Sequence, residues 1–259
     1  VHRKGYVASI ENLHLNMNLK PQAVKKLEGL LNQQPEVEAY SPRIKFGGMF
    51  STFVETTNVR LNGVYPEKEF KTIPLLPSRI AEGQKTLNRG EILIPELLAR
   101  GMKAKIGDMI VIVATNQDGS VNGKQFKVAG ILESATGPGG RDGYVHIEDA
   151  MEVLRMGEME ISEITIRLKK FNGVEAFTQK LDGLLSGEVN KEGKPAVEVH
   201  SWEQLSPFYN IARMIDMMTI FIQVLLIAVV LISIMNVMIM AVYERIREIG
   251  TIAAIGTLP

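Results

Sequence analysis

The sequence predicts an α+β fold: a pseudo-duplicated βαβ domain with an inserted β-rich subdomain, followed by a long stalk and transmembrane helix. Three observations carry this reading. The segments around residues 15–40 and 164–199 repeat one strand–helix–strand order. The region between them alternates apolar and polar residues in short runs. Near the C-terminus, Met217 to Val242 runs for 26 residues without a charged side chain.

The repeat comes first. His14-Leu15-Asn16-Met17-Asn18-Leu19 alternates with period two, as a half-buried strand does. Pro21 opens a helix containing Lys26-Leu27-Glu28-Gly29-Leu30-Leu31, and Val37–Tyr40 reads as a strand. Ile164–Lys169, a helix with Lys180-Leu181-Asp182-Gly183-Leu184-Leu185, and a strand at Ala196–Val199 repeat that order. Two such units predict a split βαβ duplication.

The insertion reads as mostly strand. Glu91–Ile94 is a short strand, and Pro95 precedes a helix from Glu96 to Arg100 that Gly101 should stop. Met109–Ala114 and Phe126–Leu132 pair across a turn at Asp118-Gly119. Tyr144–Ile147 is a further strand, followed by a helix from Glu148 to Met156. The expected organisation is residues 1–50 with 158–205 as one α+β domain, 51–157 as the insertion, 206–243 as stalk plus membrane helix, and 244–259 as a terminal segment.

The apolar run spans about 39 Å as a helix, enough to cross a bilayer core of about 30 Å with some tilt. Ser206-Pro207 supplies an N-cap and a first-turn proline, so the helix should begin outside the bilayer and meet no breaker until Gly250. Trp202 just before it is expected to act as a packing anchor at the junction. Arg213 flanks the run on one side, and Arg245 and Arg247 on the other, so the positive-inside rule puts the C-terminal segment in the cytoplasm.

Composition excludes several functions. Lys+Arg and Asp+Glu balance at 29 each, which leaves no basic signature for nucleic acid. Cysteine is absent, which removes disulfide scaffolds, Cys-based zinc sites and thiol catalysis. Gly119–Gln125 imitates a phosphate loop, but one residue is missing between its glycines, and Gln125 stands where Ser or Thr must bind magnesium. The glycine-rich stretch Thr136–Gly143 is followed by a strand rather than a helix and reads as a surface loop. His2, His14, His146 and His200 show no ligand spacing, so no metal site is expected, and no Ser/His/Asp constellation supports catalysis.

After the apolar run come Glu244-Arg245-Ile246-Arg247-Glu248-Ile249-Gly250. On a helix, Ile246, Ile249, Ile252, Ala253 and Ile255 are expected on one side and the four charges elsewhere, with Glu244–Arg247 and Arg245–Glu248 at pairing distance. Mixed charges suit an anionic lipid surface poorly and a protein groove well.

Asn236 to Gly256 resembles the second membrane helix and coupling segment of FtsX/MacB/LolCE-type (type VII) ABC transporter permeases, most specifically at Glu244–Gly250. Gly63-Val64-Tyr65-Pro66-Glu67-Lys68-Glu69 resembles the GxDPxxE element of lipoprotein-releasing members, with Tyr65 in place of aspartate. Gly90–Ile94, then Ile106-Gly107-Asp108, is similar to their GEILIG…VGD run, with Pro95 for glycine, and Ser201-Trp202-Glu203 also fits. The resemblance implies a porter-like periplasmic domain on a bacterial inner-membrane permease. It implies further membrane helices on either side of this stretch.

The same resemblance implies that Glu244, Arg245, Arg247, Glu248, Ile249 and Gly250 dock on an ABC ATPase, with Trp202 and Pro207 at the stalk junction. ATP and magnesium would sit on that partner and no cofactor on this chain. Expected partners are the ATPase, a second permease subunit in a homo- or heterodimer, membrane lipid, a lipoprotein or other periplasmic cargo, and a periplasmic carrier or adaptor. Lipoprotein release is the first expectation. MacB-like efflux of small molecules or peptides, or FtsX-like signalling, stands behind it.

Overall fold

The computed structural model describes residues 1–6, 15–116, 118–133, 142–185, 197–205 and 207–256. The chain divides into two compact units, Val1–Ser201 and Trp202–Pro259. The division falls just ahead of Trp202 rather than at residue 206.

Unit one is built on a sheet of ten described strands, in the order β10-β1-β9-β2-β3-β8-β5-β7-β4, with β6 pairing to β2 and β7. Its first four positions carry the duplication. β1 (His2–Arg3) lies between β10 (Val197–Glu198) and β9 (Glu163–Leu168), antiparallel to both. β9 in turn lies between β1 and β2 (Val37–Ser51), again antiparallel. β1 and β2 are therefore parallel around β9, and β9 and β10 are parallel around β1: two interlocked split βαβ units.

The helices of these units are α1 (Pro21–Asn32) and α6 (Val174–Leu185), and both bury matching leucines. Leu27 and Leu31 in one, and Leu181 and Leu185 in the other, are each 2% exposed or less. The shared motif thus marks the core-facing stripe at i and i+4.

One strand was expected in the wrong place. Residues Leu15–Met17 form a 3-10 turn, and Leu19 makes an isolated bridge to Ile161 outside the strands. Polar alternation there reflects a turn whose Asn18 is buried and meets Ser162 Oγ at 3.0 Å. The described strand that opens the duplication is instead β1, too short at two residues to show a period. His14 lies outside the described residues.

Five of the remaining strands close a ring with β2. β2 passes to β3 (Thr56–Val64), β8 (Asp142–His146), β5 (Glu91–Pro95), β7 (Val121–Leu132) and β6 (Met109–Thr115), and β6 returns to β2 through Met49–Ser51. Closure removes free edges, and Phe46, Phe50, Leu61, Ile94, Ile112 and Phe126 share the apolar interior. β2 belongs to both parts: its first half pairs with β9 and its end with β6. The boundary expected between residues 50 and 51 therefore falls on the end of a shared strand.

Outside the ring lie α2 (Pro66–Thr72), α3 (Leu75–Ser78) and β4 (Ile80–Gly83), which cover a second apolar cluster including Val64, Leu76, Ile80 and Leu93. α4 (Glu96–Met102) follows β5. It runs through Gly101 and ends where Lys103 turns left-handed at φ 53°, so the glycine does not stop it. α5 (Ile147–Val153) begins at His146, whose Nδ1 accepts a hydrogen bond from the Glu148 amide at 3.3 Å.

Unit two holds α7 (Trp202–Leu205) and α8 (Pro207–Ala254), a helix of 48 residues. Pro207 takes its first position as expected, while Ser206 lies outside the described residues. Gly250 does not break it. The helix continues to Ala254, and Gly256 then adopts φ 87°.

Candidate functional site

Two regions carry candidate function: α8 with its charged end, and the residues of unit one that hold its family-like motifs.

α8 has an 18-residue apolar window, none of it buried among the described residues. A soluble core helix would bury such a surface; this one presents residues such as Phe221, Leu226, Leu231 and Met238, all more than half exposed. Backbone groups in lipid must be satisfied internally, and two of the run's polar side chains bond back to the backbone. Thr219 Oγ1 donates to the Ile215 carbonyl at 2.9 Å and Ser233 Oγ to that of Val229 at 3.0 Å.

The charged end is continuous with that helix. Arg245 Nη1 meets Glu248 Oε2 at 3.2 Å, and Thr251 Oγ1 donates to the Arg247 carbonyl at 2.9 Å. The second expected pair, Glu244 with Arg247, does not form among the described residues. At about 100° per residue, Ile246, Ile249, Ile252 and Ala253 fall within about 120° of one another, while Ile255 lies past the helix end. Arg245 falls between Ile249 and Ile252, so the stripe carries a cation on that side. Ile246 and Ile249 are 59% and 63% exposed among the described residues. Trp202, expected as a packing anchor, is 55% exposed at the start of α7.

In unit one the motif residues prove structural. Gly63, near the end of β3, lies so close to α5 that an added Cβ would sit 2.4 Å from the Ala150 Cβ. Pro66 opens α2, and Glu69, fully buried, accepts from Nη2 and Nε of Arg43 along one edge of the guanidinium at 2.6 and 3.2 Å. Arg43 also reaches Glu163 at 3.1 Å, which Lys45 meets at 2.9 Å. Burial works against the charge on Glu163, yet Lys45 and Arg43 outweigh it and hold the carboxyl down at about 2. Burial likewise tends to lower Arg43, but Glu69 and Glu163 raise it overall.

Tyr65, standing where the resemblance expects aspartate, occupies the N-cap of α2 without a side-chain cap. Its ring packs edge-on against His146, and its hydroxyl points to Met159 Sδ at 3.5 Å. Gly90 is the turn residue entering β5, which Glu91–Ile94 begin, and Ile106–Asp108 form the turn entering β6. Gly90 at φ 74° donates to the buried Asp149 at 2.7 Å, and Asp108 accepts from the Lys105 amide at 2.8 Å.

The phosphate-loop imitation lies in and beside the β6–β7 hairpin. Of the glycine-rich stretch, Thr136–Arg141 lies outside the described residues. A cavity of about 230 Å³ beside α5 is lined by Asn116, Asp118, Arg155, Glu158 and Glu160 among others, with no Ser, Cys, His or Lys among its described lining residues. One grouping escaped the sequence altogether: His2, Glu198 and His200 converge, with one ligand-type atom from each within 4.8 Å of the others. Their separation of nearly 200 positions hides them from any spacing rule.

These features define a class: an α+β domain of interlocked βαβ units with a closed β insertion, joined in sequence to a single helix of membrane-spanning length. The model of the MacB-like periplasmic core domain matches residues 6–184, so the chain belongs to that family, and with it to the MacB/FtsX/LolC type of ABC transporter permease. The lipoprotein-releasing system transmembrane protein LolC of Neisseria meningitidis serogroup B is 22% identical over 230 residues, covering 85% of this chain and 54% of that protein. The chain therefore spans about half the length of this relative. Among solved structures, the extracellular domain of the ABC-type transporter YknZ from Gram-positive bacteria superposes at TM-score 0.51, with 15% identity, over 71% of this chain and 90% of that one. The periplasmic region of MacB from Actinobacillus actinomycetemcomitans gives TM-score 0.48 and 14% identity over 73% and 80%.

Proposed function

We propose that this chain acts in the permease subunit of an ABC transporter that releases lipoproteins from the inner membrane. A partner ATPase docks on Glu244–Gly250, and α8 passes the resulting motion to the periplasmic domain. The observation that supports lipoprotein cargo is the LolC likeness, which extends over 85% of the chain. The charged end of α8 supports the docking role: it is helical, exposed and unbroken from the apolar run, so a displacement there is carried along a stiff rod. Arg245 and Arg247 outnumber Arg213 at the flanks, which favours a cytoplasmic C-terminus. ATP and magnesium belong to the partner, and a second permease subunit and lipid complete the assembly.

MacB-like efflux is the second reading, favoured by the core-domain match and by the Glu244–Gly250 stretch. Extraction of the protein from its own membrane in mild detergent, followed by mass spectrometry of what co-purifies, separates the two. Lipoproteins or a periplasmic lipoprotein carrier are the expected companions. An adaptor with an outer-membrane duct, and no lipoprotein, would replace release with efflux.

A further inference from the structure

We propose that His2, Glu198 and His200 form a binding site for a divalent transition-metal ion of the zinc type, clamping β1 to β10. Register brings the three together. His2 and Glu198 are direct partners across the β1–β10 ladder, so both side chains leave the same face, and His200 stands two residues beyond Glu198. One candidate ligand atom from each residue lies within 4.8 Å of the other two.

The tautomers follow from the hydrogen bonds. His2 Nδ1 lies 3.0 Å from the Arg3 carbonyl, an acceptor only, so Nδ1 carries the proton and Nε2 keeps its lone pair. A backbone carbonyl on the far nitrogen is how ligating histidines are commonly oriented. His2 Nε2 faces His200 Nδ1 at 2.9 Å, and the two rings stack at 4.8 Å with 11° between their planes. Without metal, His200 Nδ1 donates to His2 Nε2. With metal, the His200 proton moves to Nε2, and both facing lone pairs point at the ion.

Tetrahedral coordination at about 2.0–2.1 Å from each donor sets neighbouring donors about 3.3 Å apart. The two nitrogens need to part by a few tenths of an ångström, and the rings to turn so that both lone pairs meet at the ion. Two imidazoles and one carboxylate suit zinc better than magnesium or calcium, which prefer all-oxygen shells. His2 is buried and Tyr6 packs on its ring at 5.4 Å, so its position is set before any ion arrives. Glu198 and His200 are half-buried, leaving a route for the ion and a fourth position for water. β1 and β10 are two residues each, and so short a ladder holds weakly by itself. An ion there would fix the last segment of unit one before Trp202.

The test uses chain 1–259 in detergent, carrying no histidine tag. Zinc affinity is read by competition with a chromophoric chelator, and geometry by cobalt absorption. One zinc per chain is expected, with the intense visible bands of tetrahedral cobalt. His200→Ala and Glu198→Gln should each weaken binding at least ~10-fold, and His146→Ala should leave it unchanged. Zinc should also raise the melting temperature of the parent chain but not of His200→Ala. His2→Ala risks misfolding, so the two half-buried positions carry the decision. Absence of saturable zinc or cobalt binding by the folded chain would overturn the proposal, as would equal affinity in all variants.

Discussion

Replacing Arg247 and Glu248 together with alanine is expected to strip the partner ATPase from the purified protein while α8 stays in the membrane. The two effects separate because they depend on different residues. Insertion rests on Met217–Val242, which the change does not touch. Helix continuity is equally safe, because the Arg245–Glu248 pair is 80% and 62% exposed and such pairs contribute little. What the change removes is charge offered to a partner. Charged groups desolvated in an interface cost about 2 kcal/mol or more when truncated, which lowers ATPase co-purification by about 30-fold. ATPase yield and activity equal to the parent would remove this segment from the docking surface.

The second large effect lies in unit one. Arg43→Met should lower the melting temperature by about 10 °C or more, because it leaves Glu69 fully buried with no guanidinium beside it. Breaking a buried pair by removing one partner costs about 3–5 kcal/mol. Adding Glu69→Leu should restore much of that loss, since a well-packed apolar pair can stand in for a buried ionic one. Failure of the double variant to recover would mean that shape, not charge, sets the cost.

The same network gives a pH signature. Glu163 has its carboxyl at about 2 in the folded chain against an ordinary 4.5. Its contribution is therefore complete above pH 4.5 and drains away as pH falls toward 2, amounting at most to about 3 kcal/mol. Glu163→Gln should flatten that acid limb in a melting series, and an unchanged limb would assign it to other carboxylates.

Which features were legible follows from how locally each is encoded. The α1 and α6 repeat was readable because Leu27/Leu31 and Leu181/Leu185 stand at helical spacing within single segments. β5, β6 and β7 were readable because alternation and turn residues lie side by side. β3, α2, α3 and β4 were not anticipated. Thr56–Val64 holds polar residues that a ring strand tolerates on its outer face, and α2 starts from an uncapped Tyr65. β1 went unseen because two residues carry no period, and the strand expected at His14–Leu19 followed from alternation that a turn also produces. The charged end of α8 was plain in sequence, yet a regular helix sets Arg245 between Ile249 and Ile252 of its isoleucine stripe. The His2–Glu198–His200 grouping could only appear once β1 and β10 were paired.

The central claim is that the end of α8 meets an ATPase on the cytoplasmic side. The chain has no cysteine, so Ile249→Cys introduces a single reactive thiol in the exposed stripe. Crosslinking from that position in native membranes, with the adduct identified by mass spectrometry, tests the claim directly. An adduct with an ABC ATPase, and no labelling of the thiol by an impermeant maleimide added outside intact cells, is the predicted result. A thiol labelled from outside, with no ATPase adduct, would contradict it.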